Sequence, residues 1–139
     1  MFRLVISEYN LNKIGIIRVR YQIRLGLQDI LVYSEPGTVH VHLDSISRAT
    51  GTPLNDVLQN WKDKKQGYDR ETYALARKRR TADPSEQEII NEDIKKATAA
   101  YYDDIFQMIV DNKNNDVGQF IYSLSKGQFT EEQVQKIEN

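Results

Sequence analysis

Apolar and polar positions alternate with a period of two in the first third of the chain and follow a helical period thereafter. From Ile17 to Leu25 the alternation is strict. Ile17, Val19, Tyr21, Ile23 and Leu25 define one face, and Arg18, Arg20, Gln22 and Arg24 the other. A period of two belongs to a strand with one buried face, so this segment predicts a strand with an oily side and a basic side. Phe2 to Ser7 and Ile30 to Ser34 are shorter candidates, and Val39, Val41 and Leu43 alternate with His40 and His42. Between them, Glu35-Pro36-Gly37-Thr38 has the Pro-Gly centre of a type II turn.

Beyond Leu43 the period lengthens. Asp44 suits the N-cap of a short helix reaching Thr50, and Gly51 breaks it. Thr52 and Pro53 supply the cap and first residue of a second helix running to between Trp61 and Lys64. After Gly67, Arg70 to Arg80 predicts a third helix, with Tyr73, Leu75 and Ala76 as its apolar members. It ends in Arg77-Lys78-Arg79-Arg80, where positive charge suits the helix dipole. Asp83 and Pro84 open the strongest helical signal, which continues to about Val110. In it Ile90, Ile94, Ala97, Tyr101, Ile105 and Met108 fall at spacings of 4, 3, 4, 4 and 3, one apolar stripe. At 1.5 Å per residue such a helix is about 40 Å long, more than a small core covers. Part of the stripe is therefore expected to bind a second copy or another protein. Asn112 to Asp116 is a polar break, Val117 to Ser125 a short helix, and Gly127 its stop. Thr130 with Gln133 forms a capping box for a last helix carrying Val134 and Ile137.

These elements predict an α+β fold: a small N-terminal antiparallel sheet, a helix-turn-helix-like hairpin, and a mainly helical C-terminal half with one long amphipathic helix. Two segments are expected, a basic β-rich one over 1–81 and an acidic helical association segment over 82–139.

The stretch from Ile46 to Trp61 resembles the helix-turn-helix of lactose-repressor-type DNA-binding proteins. That pattern places a small residue four positions before a turn glycine and a branched apolar residue six after it; Ser47, Gly51 and Val57 occupy those places. Ser47 stands where alanine is commoner, and Asp56 puts a negative charge on the second helix. The resemblance implies a recognition helix on which Thr52, Leu54, Asn55, Gln59 and Asn60 face a DNA groove, amides meeting adenine edges and Thr or Leu the thymine methyl. It also implies that Arg48, Lys62, Lys64 and Lys65 lie near phosphates. The alternative is a helical hairpin kept only for its shape.

Charge adds a division that composition hides. The net charge is −1, yet residues 1–80 hold 14 Lys and Arg against 8 Asp and Glu, whereas 81–139 hold 5 against 12. A basic half joined to an acidic one suggests a polyanion-binding face with a separate interaction segment, or two solvated faces that offset each other. Arg77, Lys78, Arg79 and Arg80 could clamp DNA phosphates or simply end a helix.

Catalytic chemistry finds little foothold. Without cysteine there is no thiol nucleophile, disulfide or zinc-thiolate site. His40 and His42 share one side of a strand without a recognisable third ligand, so no metal and no cofactor is expected. No GxSxG elbow or glycine-rich phosphate loop occurs, and Asp103-Asp104 and Glu131-Glu132 diverge on their helices. Tyr101, Tyr102, Phe106, Phe120 and Tyr122 could line a partner site, but the expectation is that Tyr101, Phe106 and Phe120 are core and Tyr102 exposed. The opening Met1 to Glu8 has an apolar run too short for a signal peptide, and no run is long enough to span a bilayer. The expectation is a non-catalytic, cytoplasmic protein with neither membrane nor small-molecule partner. It fits a DNA-binding regulator or accessory protein of a bacterium or bacteriophage, found in the host cytoplasm or virion in the latter case. The alternatives are a virion connector, scaffold or chaperone component, and a protein that inhibits a host enzyme.

Overall fold

The computed structural model describes residues 12–17 and 29–139. The expected strand over Phe2 to Ser7 and the basic face of Arg18, Arg20 and Arg24 lie outside them. The chain forms two compact units, one ending at Asn60 and the other Trp61–Asn139. Charge and composition divide the chain at 81/82 instead, because the basic end of a helix belongs to the second unit.

In the first unit, β1 (Lys13–Ile17) pairs antiparallel with β2 (Ile30–Ser34), in register from Lys13 opposite Ser34 to Ile17 opposite Ile30. A second hairpin pairs β3 (His40–His42) with β4 (Arg48–Thr50). Ile30, Val32 and Ala49 form the core between them, with Val39 packed alongside. The expected helix over 44–50 is thus replaced by a turn and a strand. The Asp44 carboxylate accepts from the Ser45 N–H at 2.6 Å, and the Ser47 hydroxyl bonds both the N–H and the carbonyl of Asp44. These short-range bonds close a turn instead of starting a helix. Burial then alternates, with Ser47 and Ala49 inside and Ile46 and Arg48 outside, as a strand requires.

The two helices expected on either side of Gly67 are one, α1 (Pro53–Arg79). A glycine weakens a helix interior by only about 1 kcal/mol, and contacts with a neighbouring helix flank Gly67 on both sides. On one side of Gly67, Lys64 pairs with Asp104 at 2.8 Å. On the other, the Tyr68 ring stacks on Tyr101 at 4.5 Å and 8°.

The second unit is helical: the rest of α1, then α2 (Pro84–Asn112), α3 (Asp116–Ser125), a 3-10 turn (Lys126–Gln128) and α4 (Glu131–Glu138). Asp83 caps α2 by accepting from the Glu86 N–H, and Thr130 and Gln133 complete the capping box of α4. Tyr68 with Tyr101, Lys64 with Asp104, and Arg79 with Asn91 at 2.8 Å lay α1 antiparallel along α2. α3 and α4 pack on α2, burying Ile105, Met108, Ile109, Val117, Ile121 and Ile137. Gly118 lets α3 begin against the end of α2, since a Cβ there would lie 2.1 Å from the Asn112 carbonyl oxygen.

This packing changes the expectation for the long stripe. Ile90, Tyr101, Ile105 and Met108 are buried within the helical unit, and Ile94 and Ala97 are half-buried. The surface expected to need a partner has α1, unbroken, alongside it. The large apolar residue of α2 left in solvent is Ile89, 63% exposed.

Candidate nucleic-acid interface

Of the five residues expected to face a DNA groove, Thr52, Asn55 and Gln59 are committed to the fold. Thr52, Asn55 and Gln59 are 3%, 1% and 3% exposed. The Asn55 side chain accepts from the Tyr33 N–H at 2.9 Å, donates to the Tyr33 carbonyl at 2.7 Å and donates to the Thr52 hydroxyl at 2.8 Å. Gln59 accepts from the Ala49 N–H at 2.9 Å. Ahead of them, the Glu35 carboxylate accepts from the N–H groups of Leu54 and Asn55, satisfying donors that open the helix. Gly51 donates to Asp56 at 2.9 Å, which explains the acid that looked misplaced on a recognition helix. Leu54 is half-buried. Asn60 and Arg48 are exposed. A buried amide whose bonds are already made cannot meet a base edge without leaving strand backbone unpaired.

The other expected phosphate contacts divide into engaged and free. Lys64 is tied to Asp104 and Lys65 to Asp69, and Lys62 is half-buried with interactions of its own. Arg79 donates to Asn91. Arg77, Lys78 and Arg80 are exposed, and among the described residues none of them lies within ion-pair distance of a carboxylate.

Sequence reasoning missed the residues that extend this group. Arg70, Tyr73 and Arg77 on α1, with Arg80 one residue past its end, follow at steps of 3, 4 and 3 and so share one face. That face is roughly opposite the one carrying Tyr68 and Arg79 toward α2. All four side chains are exposed, Tyr73 at 64%, and Arg70 too has no carboxylate partner among the described residues. The signal was available as a helical period of arginines, but treating Tyr73 as a core residue hid it.

No group of three His, Cys, Asp or Glu side chains among the described residues is arranged to hold a metal. His42 sits 3.7 Å from Asp44 in an exposed pair. A shallow groove of about 370 Å³ runs beside α2, lined by Ile94, Lys95, Thr98, Tyr102 and Gln133 among others. Its Lys95 is paired with Glu92, and its Gln133 belongs to the α4 capping box. No helix among the described residues is long and apolar enough to cross a membrane. Comparison with protein-family models, curated proteins and solved structures finds no match.

Proposed function

We propose that the chain is a non-catalytic binding protein whose partner is a polyanion, nucleic acid in the first place, engaged through the outer face of α1. The observation that carries this is the stripe of Arg70, Arg77 and Arg80, exposed, in phase and without carboxylate partners among the described residues. Three exposed guanidiniums without a carboxylate partner among the described residues are donors for phosphate oxygens, which they can meet bidentately. Pairing of this kind carries little base information, so the role is that of a DNA-binding accessory protein more than of a site-specific repressor. The assembly alternative loses its main support with the burial of Ile90, Tyr101, Ile105 and Met108 inside the helical unit.

The test is the salt dependence of binding to a labelled DNA duplex. Replacing Arg70, Arg77 and Arg80 together with Gln is expected to leave the fold intact and to lower the slope of log K against log salt by about 3, close to 0.9 for each phosphate no longer neutralised. An unchanged slope, or no binding by the unaltered chain at low salt, overturns the proposal.

A further inference from the structure

The stripe is more than a row of charges. Tyr73 lies between Arg70 and Arg77 on one face of α1, three residues after one and four before the other, so an arginine position flanks it on each side along the helix. The ring is 64% exposed, and it belongs to none of the aromatic pairs that join Tyr68, Tyr101, Tyr102, Phe106, Tyr122 and Phe129 in the helical unit. Burial is the usual fate of a large aromatic side chain in a protein this size, and phosphates alone would need only the arginines.

We infer that Tyr73 is a stacking platform and that the stripe takes single-stranded nucleic acid in preference to duplex. This rests on the polyanion reading above and names the class of polyanion. A base in a duplex has both faces covered by its neighbours, whereas a base in a single strand offers a face to an exposed ring. Arg70 and Arg77 are separated by about 10 Å along the helix at 1.5 Å per residue, which lets them hold backbone phosphates on either side of a base seated on Tyr73. Carboxylates on an acidic protein surface would satisfy the arginines equally well, but a single-stranded nucleic acid couples every phosphate to a base whose flat π-face matches the ring, and so is the more complementary occupant.

The 139-residue chain is tested against three probes of equal charge count by fluorescence anisotropy: labelled oligodeoxythymidine, a duplex, and inorganic polyphosphate as an unlabelled competitor. The unaltered chain is expected to favour the single strand. Tyr73→Ala should weaken single-strand binding at least about fivefold while leaving polyphosphate competition unchanged, and Tyr73→Phe should restore it. Arg77→Gln should weaken all three. Equal affinity for all three probes, or a uniform effect of Tyr73→Ala on them, overturns the platform and leaves polyanion binding standing. Absence of binding to every probe overturns both. Reversible self-association at low salt that Arg77→Gln abolishes, with no oligonucleotide bound, also overturns both and assigns the stripe to an interface between copies. Tyr73 is exposed, so an unchanged circular dichroism melt is the expected control for each variant.

Discussion

The side chain of Asn55 pairs with the backbone of Tyr33 as a neighbouring strand would, accepting from its N–H at 2.9 Å and donating to its carbonyl at 2.7 Å. Ser34 turns its backbone toward β1, where its carbonyl accepts from Asn12, so Tyr33 addresses the opposite edge of β2. An unpaired strand edge exposes donors and acceptors, and here a helix covers it with one amide. One helical turn later Gln59 does half of the same for Ala49 on β4. An i, i+4 pair of amides thus holds a strand from each hairpin.

Replacing Asn55 with Ala should therefore destabilise the first unit by about 2 to 4 kcal/mol, since it leaves a buried N–H and a buried carbonyl unsatisfied. Asn55→Asp should do no better, because it loses the donor and sets a second carboxylate beside Glu35, whose oxygen lies 3.4 Å from the Asn55 nitrogen. Amide hydrogen exchange at Tyr33 and Ala49 reports this locally. Native-like protection in Asn55→Ala would show that the amide is dispensable, as the recognition-helix expectation required.

Two glycines should respond in opposite directions to alanine. Gly51 has φ +105°, and a Cβ there would meet the His40 ring at 2.7 Å and the Thr38 carbonyl at 2.8 Å, so Gly51→Ala should cost about 1 to 3 kcal/mol. Gly67 sits inside α1 with open space where its Cβ would be, and Gly67→Ala should stabilise by about 0.5 to 1 kcal/mol by limiting the unfolded chain. Urea denaturation of both variants checks the pair. A loss at Gly67 would mean that the helix does not run through it.

Alkaline pH should find Tyr101. Burial pushes its phenol up to about 12 from an ordinary 10, against a smaller opposing effect of the hydrogen bond from Trp61. A group whose folded pKa is raised favours its protonated form in the fold. Its contribution is complete below pH 10 and is lost as pH rises toward 12. Tyr101→Phe should flatten that part of the stability profile. Burial also raises the phenols of Tyr102 and Tyr122, so the phenolate absorbance of the folded protein should show a late-titrating group of tyrosines with Tyr101 the last of them, and a profile that Tyr101→Phe leaves unchanged would contradict the assignment.

The helical unit supplies a contrast between core and surface. Ile109 and Ile121 are 0% exposed, so either to Ala should cost about 2 to 5 kcal/mol. Ile89→Asp should change stability little, because that side chain is in water already. Ile94→Asp with Tyr101→Asp should unfold the helical unit instead of separating subunits. A folded protein of smaller mass in solution would restore the stripe as an interface between copies.

What the sequence made legible was what local physics decides. The strand Ile30–Ser34 and the start of α2 at Asp83 and Pro84 stand where pattern and capping put them, as does the capping box of α4. The errors came where a distant partner outweighs local preference. Residues 48–50 are a strand because residues 40–42 pair with them, and α1 passes through Gly67 because side chains of α2 hold both flanks. Asn55 and Gln59 looked like readers of DNA because an amide suited to an adenine edge is equally suited to a peptide group. Their choice between the two was made by Tyr33 and Ala49, which are 22 and 10 residues away.

The amide clamp also sets the mutational grammar of the first unit. Asn55 and Gln59 address main-chain atoms that every residue possesses, so they impose no chemical demand on the side chains of the strands they hold. In a randomised library scored for folding, Ala49, 1% exposed, should admit only small residues, limited by volume. Position 55 should admit almost nothing else, because no other side chain offers one donor and one acceptor at that reach. Tolerance would then be lowest not at the strands but at the two polar letters of the helix that spell their edges.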